Sequence, residues 1–182
     1  MTKPGDIRAA IHEAQELDAQ WIRHPAGRDD RRSTPWMPFP LFDYIALLAE
    51  AMPVTEGDRF LEIGCGVGSK MLVARELFGL DVHGFDRVPA YIQQARNLGL
   101  DAVEADALGY DGYGKYDIVW FNRPFRDAKL EFQLEQEVWD SVAPGAVVIG
   151  ANLEALPPPT WMTVLDDFEV RRGIWWKPPP AA

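Results

Sequence analysis

The sequence has little of several features that would each indicate a particular class of protein. Its 182 residues include one cysteine, Cys65, so no internal disulfide can form and a reducing, cytoplasmic location is predicted. No apolar run is long enough to span a membrane, and the first residues lack the apolar stretch of a secretory signal. No group of His, Cys and Asp residues has metal-ligand spacing, so no metal is predicted.

Positive charge is also scarce. The chain has 18 Lys and Arg residues against 28 Asp and Glu residues, which gives a net charge of −10. The basic residues concentrate at 28–32, where two acids dilute them, and at Arg171–Arg172. Because binding to a polyphosphate backbone draws on clustered cations, nucleic acid is disfavoured as a partner, and a local basic patch is the open alternative.

The length and the order of patterns predict one domain over 1–182, with helices and a lid segment in 1–57 and a core in 58–182. Apolar residues at helical spacing predict one helix over 7–22 and another over 41–52. From Arg59 onward, short apolar runs alternate with helical periods. This alternation predicts an α/β protein with a mostly parallel, doubly wound sheet, helices on both faces and an N-terminal helical extension. Two short runs in the tail predict a final antiparallel strand pair.

The stretch "FLEIGCGVGS" ends the first predicted strand. Gly64, Gly66 and Gly68 alternate with other residues, and a helical pattern begins at Ser69. Glycine allows a positive φ and lets a ligand approach the backbone, and the following helix presents free N–H groups. A dinucleotide-binding fingerprint would need glycine at position 69, so the serine there disfavours a nicotinamide-dependent oxidoreductase.

The actual pattern, Glu62-x-Gly64-x-Gly66-x-Gly68, resembles the first motif of the class I S-adenosylmethionine-dependent methyltransferases. The acids Asp86 and Asp106, which end the next two predicted strands, extend the resemblance, which covers residues 59–152. It implies a Rossmann-like sheet and S-adenosylmethionine as the cofactor. It also implies a set of cofactor-binding residues, namely Glu62, Gly64, Cys65, Gly66, Gly68, Asp86, Arg87, Asp106, Ala107 and Asn122.

Within this set, the resemblance assigns the cofactor's amino group to Glu62, the ribose hydroxyls to Asp86 and the adenine amino group to Asp106. Two alternatives are open. Asp86 and Asp106 are also suited to capping the turns after their strands. Cys65 occupies a place in the turn where many small residues fit, which favours a packing role.

The fourth predicted strand ends in "NRPF", Asn122 to Phe125. These residues resemble the N-P-P-Y/F motif of amino-group methyltransferases, in which the asparagine accepts a hydrogen bond from the target amine and the aromatic ring stacks on the substrate. The resemblance implies a catalytic role for Asn122 and substrate contacts for Arg123 and Phe125. Arginine replaces the first proline of the motif, so two alternatives are open. Asn122 is also suited to capping the loop, and Arg123 is also suited to a salt bridge with a nearby acid.

The segment "TPWMPFP" precedes the core and contains Trp36 and Phe39. One interpretation is a lid that covers the reacting methyl group, excludes water and contacts the substrate. The other is a plug at the edge of the sheet.

The sequence therefore predicts an S-adenosylmethionine-dependent methyltransferase acting on a small molecule. A non-catalytic protein that binds S-adenosylmethionine or S-adenosylhomocysteine as a sensor or partner subunit is the second hypothesis. A homodimer is compatible with the tryptophan-rich tail, in which Trp175 and Trp176 would face opposite sides of a strand.

Overall fold

A computed structural model describes residues 4–23, 39–51, 57–152, 163–166 and 173–178. The helices are α1 (Pro4–Arg23), α2 (Leu41–Glu50), α3 (Ser69–Phe78), α4 (Pro89–Asn97) and α5 (Ala128–Ser141), with one 3-10 turn over Tyr113–Lys115. The strands are β1 (Arg59–Ile63), β2 (Asp81–Asp86), β3 (Asp101–Glu104), β4 (Ile118–Asn122), β5 (Val147–Ala151), β6 (Thr163–Asp166) and β7 (Gly173–Trp176).

These strands form one sheet in the order β3-β2-β1-β4-β5-β7-β6. β1 to β5 are parallel to one another, and β7 is antiparallel to both β5 and β6. The predicted doubly wound, mostly parallel α/β sheet with an antiparallel C-terminal strand is thereby confirmed. The strand order reverses between β1 and β4, and ligands of such sheets bind at the carboxyl edge beside that switch point.

Successive side chains of a strand point to opposite faces, and both faces of this sheet are covered. Phe60 and Trp120 belong to the core under α2 and α3, whereas Leu61 and Phe121 belong to the core under α5. The central strands β1, β4 and β5 are therefore mostly apolar along their length rather than alternating, as a sheet buried on both faces requires.

The N-terminal extension packs on the α3 side of the sheet. Tyr44 of α2 is fully buried, its ring meets Trp120 edge-on at 5.1 Å, and its hydroxyl donates to the Lys70 carbonyl oxygen. Phe39, just before α2, contacts the same indole at 5.2 Å. In the part of the chain that the structure describes, no helix combines the length and apolar character needed to cross a membrane.

The C-terminal strands complete the sheet, because β7 lies between β5 and β6. Trp175 is buried against Trp139 of α5, and Trp176 is half-buried on the opposite face. Lys177 Nζ donates to the carbonyl oxygens of Trp139, Asp140 and Val142 at the end of α5. A lysine at a helix C-terminus satisfies carbonyl groups that have no partner within the helix, so it fixes the strand to the helix.

Candidate active site

The glycine turn joins β1 to α3 at the carboxyl edge. Gly64, Gly66 and Gly68 have φ values of 69°, 52° and 83°, a left-handed conformation that costs other residues roughly 1–2 kcal/mol each. α3 begins directly after Gly68. Gly64 is exposed, whereas Gly66 and Gly68 are buried, and a Cβ on Gly68 would lie 2.6 Å from Leu100. The turn therefore brings backbone without side chains to a helix N-terminus, the arrangement that suits a polar ligand.

Cys65 lies inside this turn but faces the protein. It is 3% exposed, its N–H donates to the Phe85 carbonyl oxygen at 2.9 Å, and burial raises the pKa of its thiol well above the ordinary value. The thiol is therefore neutral and packs in the core. A cofactor contact of Cys65 through its backbone stays a prediction.

Asp86 holds the turn in shape from the end of β2. One carboxylate oxygen accepts from the Gly66 N–H at 3.0 Å, and the other accepts from the Val88 N–H at 2.9 Å. Burial raises the pKa of Asp86, and these two N–H groups oppose the shift. Each carboxylate oxygen can accept a further hydrogen bond, so this capping role and the predicted contact with ribose are compatible.

The ends of β2 and β3 meet beside this aspartate. Arg87 Nε lies 3.7 Å from an Asp106 carboxylate oxygen, and the other Asp106 oxygen accepts from the Leu108 N–H. Ala107 is buried, and its carbonyl oxygen accepts from the Tyr113 hydroxyl at 2.6 Å. The structure thus brings together Arg87, Asp106 and Ala107 of the predicted cofactor-binding set, and the contact of Asp106 with adenine stays a prediction.

Glu62 is a buried carboxylate in β1, immediately before the glycine turn. It is 3% exposed, and its Oε2 has no hydrogen-bond partner among the described residues. Burial raises the pKa of Glu62 to about 8, Lys70 opposes the shift, and Asp18 adds to it. A buried carboxylate oxygen without a partner is costly, so the site favours a ligand that brings a cation to it.

α1 covers the same region from above. Lys70 of α3 lies 3.6 Å from a carboxylate oxygen of Asp18 in α1, and both residues are buried. Trp21 of α1 meets Tyr91 edge-on at 5.4 Å, and Leu17 packs on Val67 within the turn. The sequence analysis did not identify these residues as part of the site. The available signal was an acid, Asp18, on the apolar stripe of a predicted helix.

The loop after β4 packs directly on the glycine turn. A Cβ built on Gly64 would lie 3.6 Å from Pro124, so the two segments are in contact. The Phe125 N–H donates to the Glu131 carboxylate at 2.9 Å, and the Phe125 side chain is 1% exposed. The structure therefore places the Phe125 ring in the core, with the α5 face of the sheet, and its predicted contact with substrate stays a prediction.

Asn122 ends β4, half-buried, and accepts at Oδ1 from Asn152 Nδ2 at 2.6 Å. Arg123 follows with φ 42°, is half-buried, and precedes Arg126, which is exposed. Trp36 lies outside the described residues. The predicted lid residue Phe39 is 3% exposed and packs on the sheet, so the structure places it in the core.

Comparisons with known proteins agree with this architecture. No protein-family model matches the chain. Aklanonic acid methyltransferase DauC of Streptomyces sp. (strain C5) is 33% identical over 85 residues, a match that covers 37% of this chain and 38% of that protein. The chain thus spans less than half the length of this curated relative.

Three solved structures extend the comparison. An RNA methyltransferase from Salinibacter ruber, in complex with S-adenosylhomocysteine, has a TM-score of 0.63 at 18% identity and covers 80% of this chain and 96% of that one. Phosphoethanolamine N-methyltransferase 2 of Haemonchus contortus, with S-adenosylmethionine, has a TM-score of 0.53 at 22% identity, covering 79% of this chain and 35% of that one. A geranyl diphosphate methyltransferase with S-adenosylmethionine has a TM-score of 0.50 at 22% identity, covering 60% and 47%.

Each of these three proteins was solved with S-adenosylmethionine or S-adenosylhomocysteine bound. The fold predicted from the glycine motif is confirmed: the chain has the Rossmann-like fold of the class I S-adenosylmethionine-dependent methyltransferases.

Proposed function

We propose that the protein transfers a methyl group from S-adenosylmethionine to a small-molecule acceptor. The observation that carries the proposal is the Glu62 carboxylate, buried without a partner for Oε2 among the described residues, at the start of a turn made of left-handed glycines. S-adenosylmethionine carries an ammonium group at the end of a flexible chain, which supplies the missing cation. A dinucleotide carries a pyrophosphate instead, which would bring no cation to Glu62.

Residues along the carboxyl edge would hold the rest of the cofactor. Asp86, at the end of β2, would accept from the ribose hydroxyls. Asp106, Ala107 and Arg87 would contact the adenine, since Arg87 already bridges the ends of β2 and β3. The ends of β1, β2 and β3 lie on one side of the switch point. The cofactor would therefore bind on that side, and the methyl acceptor would bind at the ends of β4 and β5.

When bound, the cofactor supplies an electrophilic methyl group on a sulfonium. The chain then has to hold the acceptor atom in line with the methyl–sulfur bond and exclude water, and needs no covalent nucleophile of its own. We assign the acceptor side to Asn122 and the loop that follows it, with the α1 residues Leu17 and Trp21 covering the glycine turn from the other side.

A small molecule is the favoured acceptor because the chain carries a net charge of −10, which opposes approach to a polyphosphate. Two of the proteins compared above, named for aklanonic acid and geranyl diphosphate, are consistent with this choice. A non-catalytic protein that binds S-adenosylmethionine is the second candidate, because Arg123 replaces a proline of the amino-group motif.

Two measurements test the proposal. Calorimetry with S-adenosylmethionine, S-adenosylhomocysteine and NAD should show binding of the first two, and binding of NAD alone would reject the cofactor assignment. Incubation with S-adenosylmethionine and a metabolite extract should then produce S-adenosylhomocysteine. Binding without that product, across extracts from several sources, would favour the non-catalytic candidate.

A further inference from the structure

Two asparagines close the acceptor side of the carboxyl edge. Asn122 ends β4, Asn152 follows β5, and these neighbouring strands bring the two amides together. Asn152 donates from Nδ2 to Asn122 Oδ1 at 2.6 Å, although the residues are 30 positions apart in sequence. The backbone of Asn152 is left-handed, with φ 55°, a conformation that asparagine tolerates better than most residues.

This bond determines which end of the Asn122 amide is available to a ligand. A primary amide has one acceptor oxygen and one donor nitrogen. The oxygen is engaged by Asn152, and among the described residues no group accepts from Asn122 Nδ2. Asn122 therefore offers two N–H donors, the reverse of the acceptor role that the amino-group motif gives to its asparagine.

The residue after Asn122 has an unusual backbone conformation. Arg123 has φ 42° and precedes Pro124, and a residue before proline is normally extended. Contact of Pro124 with Gly64 and the bond from Phe125 to Glu131 hold the loop in this conformation. Backbone strain of this kind concentrates at functional sites. Within the loop, two guanidinium groups, those of Arg123 and Arg126, lie within four residues of Asn122.

We propose, on the basis of the methyl transfer proposed above, that the acceptor atom is an anionic oxygen of a small molecule, such as a carboxylate, and that Asn152 is the positioning residue that sets this preference. The substrate oxygen forms a bond to the methyl carbon, the methyl–sulfur bond breaks with its electron pair on sulfur, and the anion becomes a neutral ester. No proton moves, so the step needs no base. Among the described residues on the core strands, the one histidine, His83, is held by Asp81 and Asp101 and is not at the carboxyl edge.

Two substitutions of Asn152 test the positioning role without disturbing its backbone, since aspartate and glycine both tolerate a left-handed φ. In Asn152→Asp the new side chain only accepts, so Asn122 must donate to it and present its oxygen to the ligand. In Asn152→Gly the Asn122 amide is free to rotate. The glycine variant adds no charge. It therefore separates the effect of the Asn122 amide orientation from repulsion between an added carboxylate and an acidic probe.

The experiment measures binding, not turnover. The protein is first saturated with S-adenosylhomocysteine, whose own titration reports separately on the proposed cofactor site. Matched acid and amine probes are then titrated by calorimetry: benzoate with benzylamine, naphthoate with naphthylmethylamine, and indoleacetate with tryptamine. Each pair shares its ring system and differs in the charged group.

We expect the acid of at least one pair to bind about tenfold more tightly than its amine, since a hydrogen bond to a charged group contributes about that factor. Asn152→Gly should bring the ratio close to one, and Asn152→Asp should reverse it even in high salt, where the added charge is screened. Three results would overturn the proposal. The wild-type protein could bind the amines as tightly as the acids, or the ratio of acid to amine affinity could stay unchanged in both variants. The third is that no probe binds to the saturated protein. Each of these results leaves the cofactor assignment standing.

Discussion

The two sides of the carboxyl edge differ in hydrogen-bonding character. Beyond β1, β2 and β3, the side chains are carboxylates that accept, namely Glu62, Asp86 and Asp106, set among glycines. Beyond β4 and β5, Asn122 offers N–H donors beside two arginines. The first side matches a ligand with an ammonium and hydroxyl groups, and the second matches a ligand with anionic oxygen. Under the two proposals above, the two halves of one sheet edge would hold two different molecules.

Among substitutions on the two sides of the edge, Gly66→Leu is expected to change ligand affinity most. Leucine would strain a buried turn residue whose φ is 52° and add bulk where the cofactor is proposed to approach the backbone, so affinity for S-adenosylhomocysteine should fall more than about a hundredfold. Gly145→Leu is the matched control, because it has φ 92°, open space around it, and a place before β5 at the opposite edge. Calorimetry on both variants, with circular dichroism to check folding, decides. Equal affinity in the Gly66 variant would remove the turn from the site.

The next effect concerns the buried charge of Glu62. Because the folded pKa of about 8 lies above the ordinary 4.5, the folded protein holds this proton more tightly than the unfolded chain. The contribution of Glu62 is therefore most favourable at low pH and is lost as pH rises from about 4.5 to about 8, by up to about 5 kcal/mol. Glu62→Gln should remove that part of the pH dependence of the free energy of unfolding in urea. An identical pH slope in both proteins would contradict the shift.

The same pKa shift predicts proton release on cofactor binding. An ammonium beside Glu62 favours its charged form, so near pH 7 binding should release close to one proton. Calorimetry in buffers of different ionisation enthalpy measures this number. Glu62→Gln provides the control, since it has no proton to release there. Equal release in both proteins would place the ammonium elsewhere.

A smaller effect is expected from Asp86→Asn, which keeps the shape but replaces one acceptor oxygen. Affinity for S-adenosylhomocysteine should fall roughly 10-fold to 100-fold, the range for a hydrogen bond to a charged group. Asp101→Asn is the control, because Asp101 starts β3 at the opposite edge and contacts His83. If both variants lose the same affinity, the loss reflects general stability and not a ribose contact.

The smallest effect is expected from Arg126→Gln. Arg126 is exposed, so its attraction for an anionic probe is screened and should change affinity only about threefold. The change should shrink further as salt is raised, whereas affinity for S-adenosylhomocysteine should stay constant. A loss on the cofactor side would show that the two halves of the edge do not act separately.

The local part of this structure could be predicted from the sequence, and the non-local part could not. The glycine turn and the strand-to-helix alternation are short-range patterns, and the parallel sheet was predicted from them. The pair Asn122–Asn152 joins residues 30 positions apart, and the burial of Lys70 depends on α1 meeting α3. Periodicity gives no register between distant segments. For the same reason, the "NRPF" motif alone does not predict the hydrogen bond from the Phe125 N–H to Glu131 of α5, which accompanies the burial of Phe125.

The contact between Gly64 and Pro124 has a consequence for attempts to alter the protein. A Cβ at position 64 would meet the proline at an ordinary van der Waals distance of 3.6 Å, so side chains that extend toward it would press on the proline, and the φ of 69° would strain any residue but glycine. A variant library built to change acceptor preference should therefore keep the first glycine and the proline fixed as a unit. Diversity is better introduced at position 126, whose side chain is exposed.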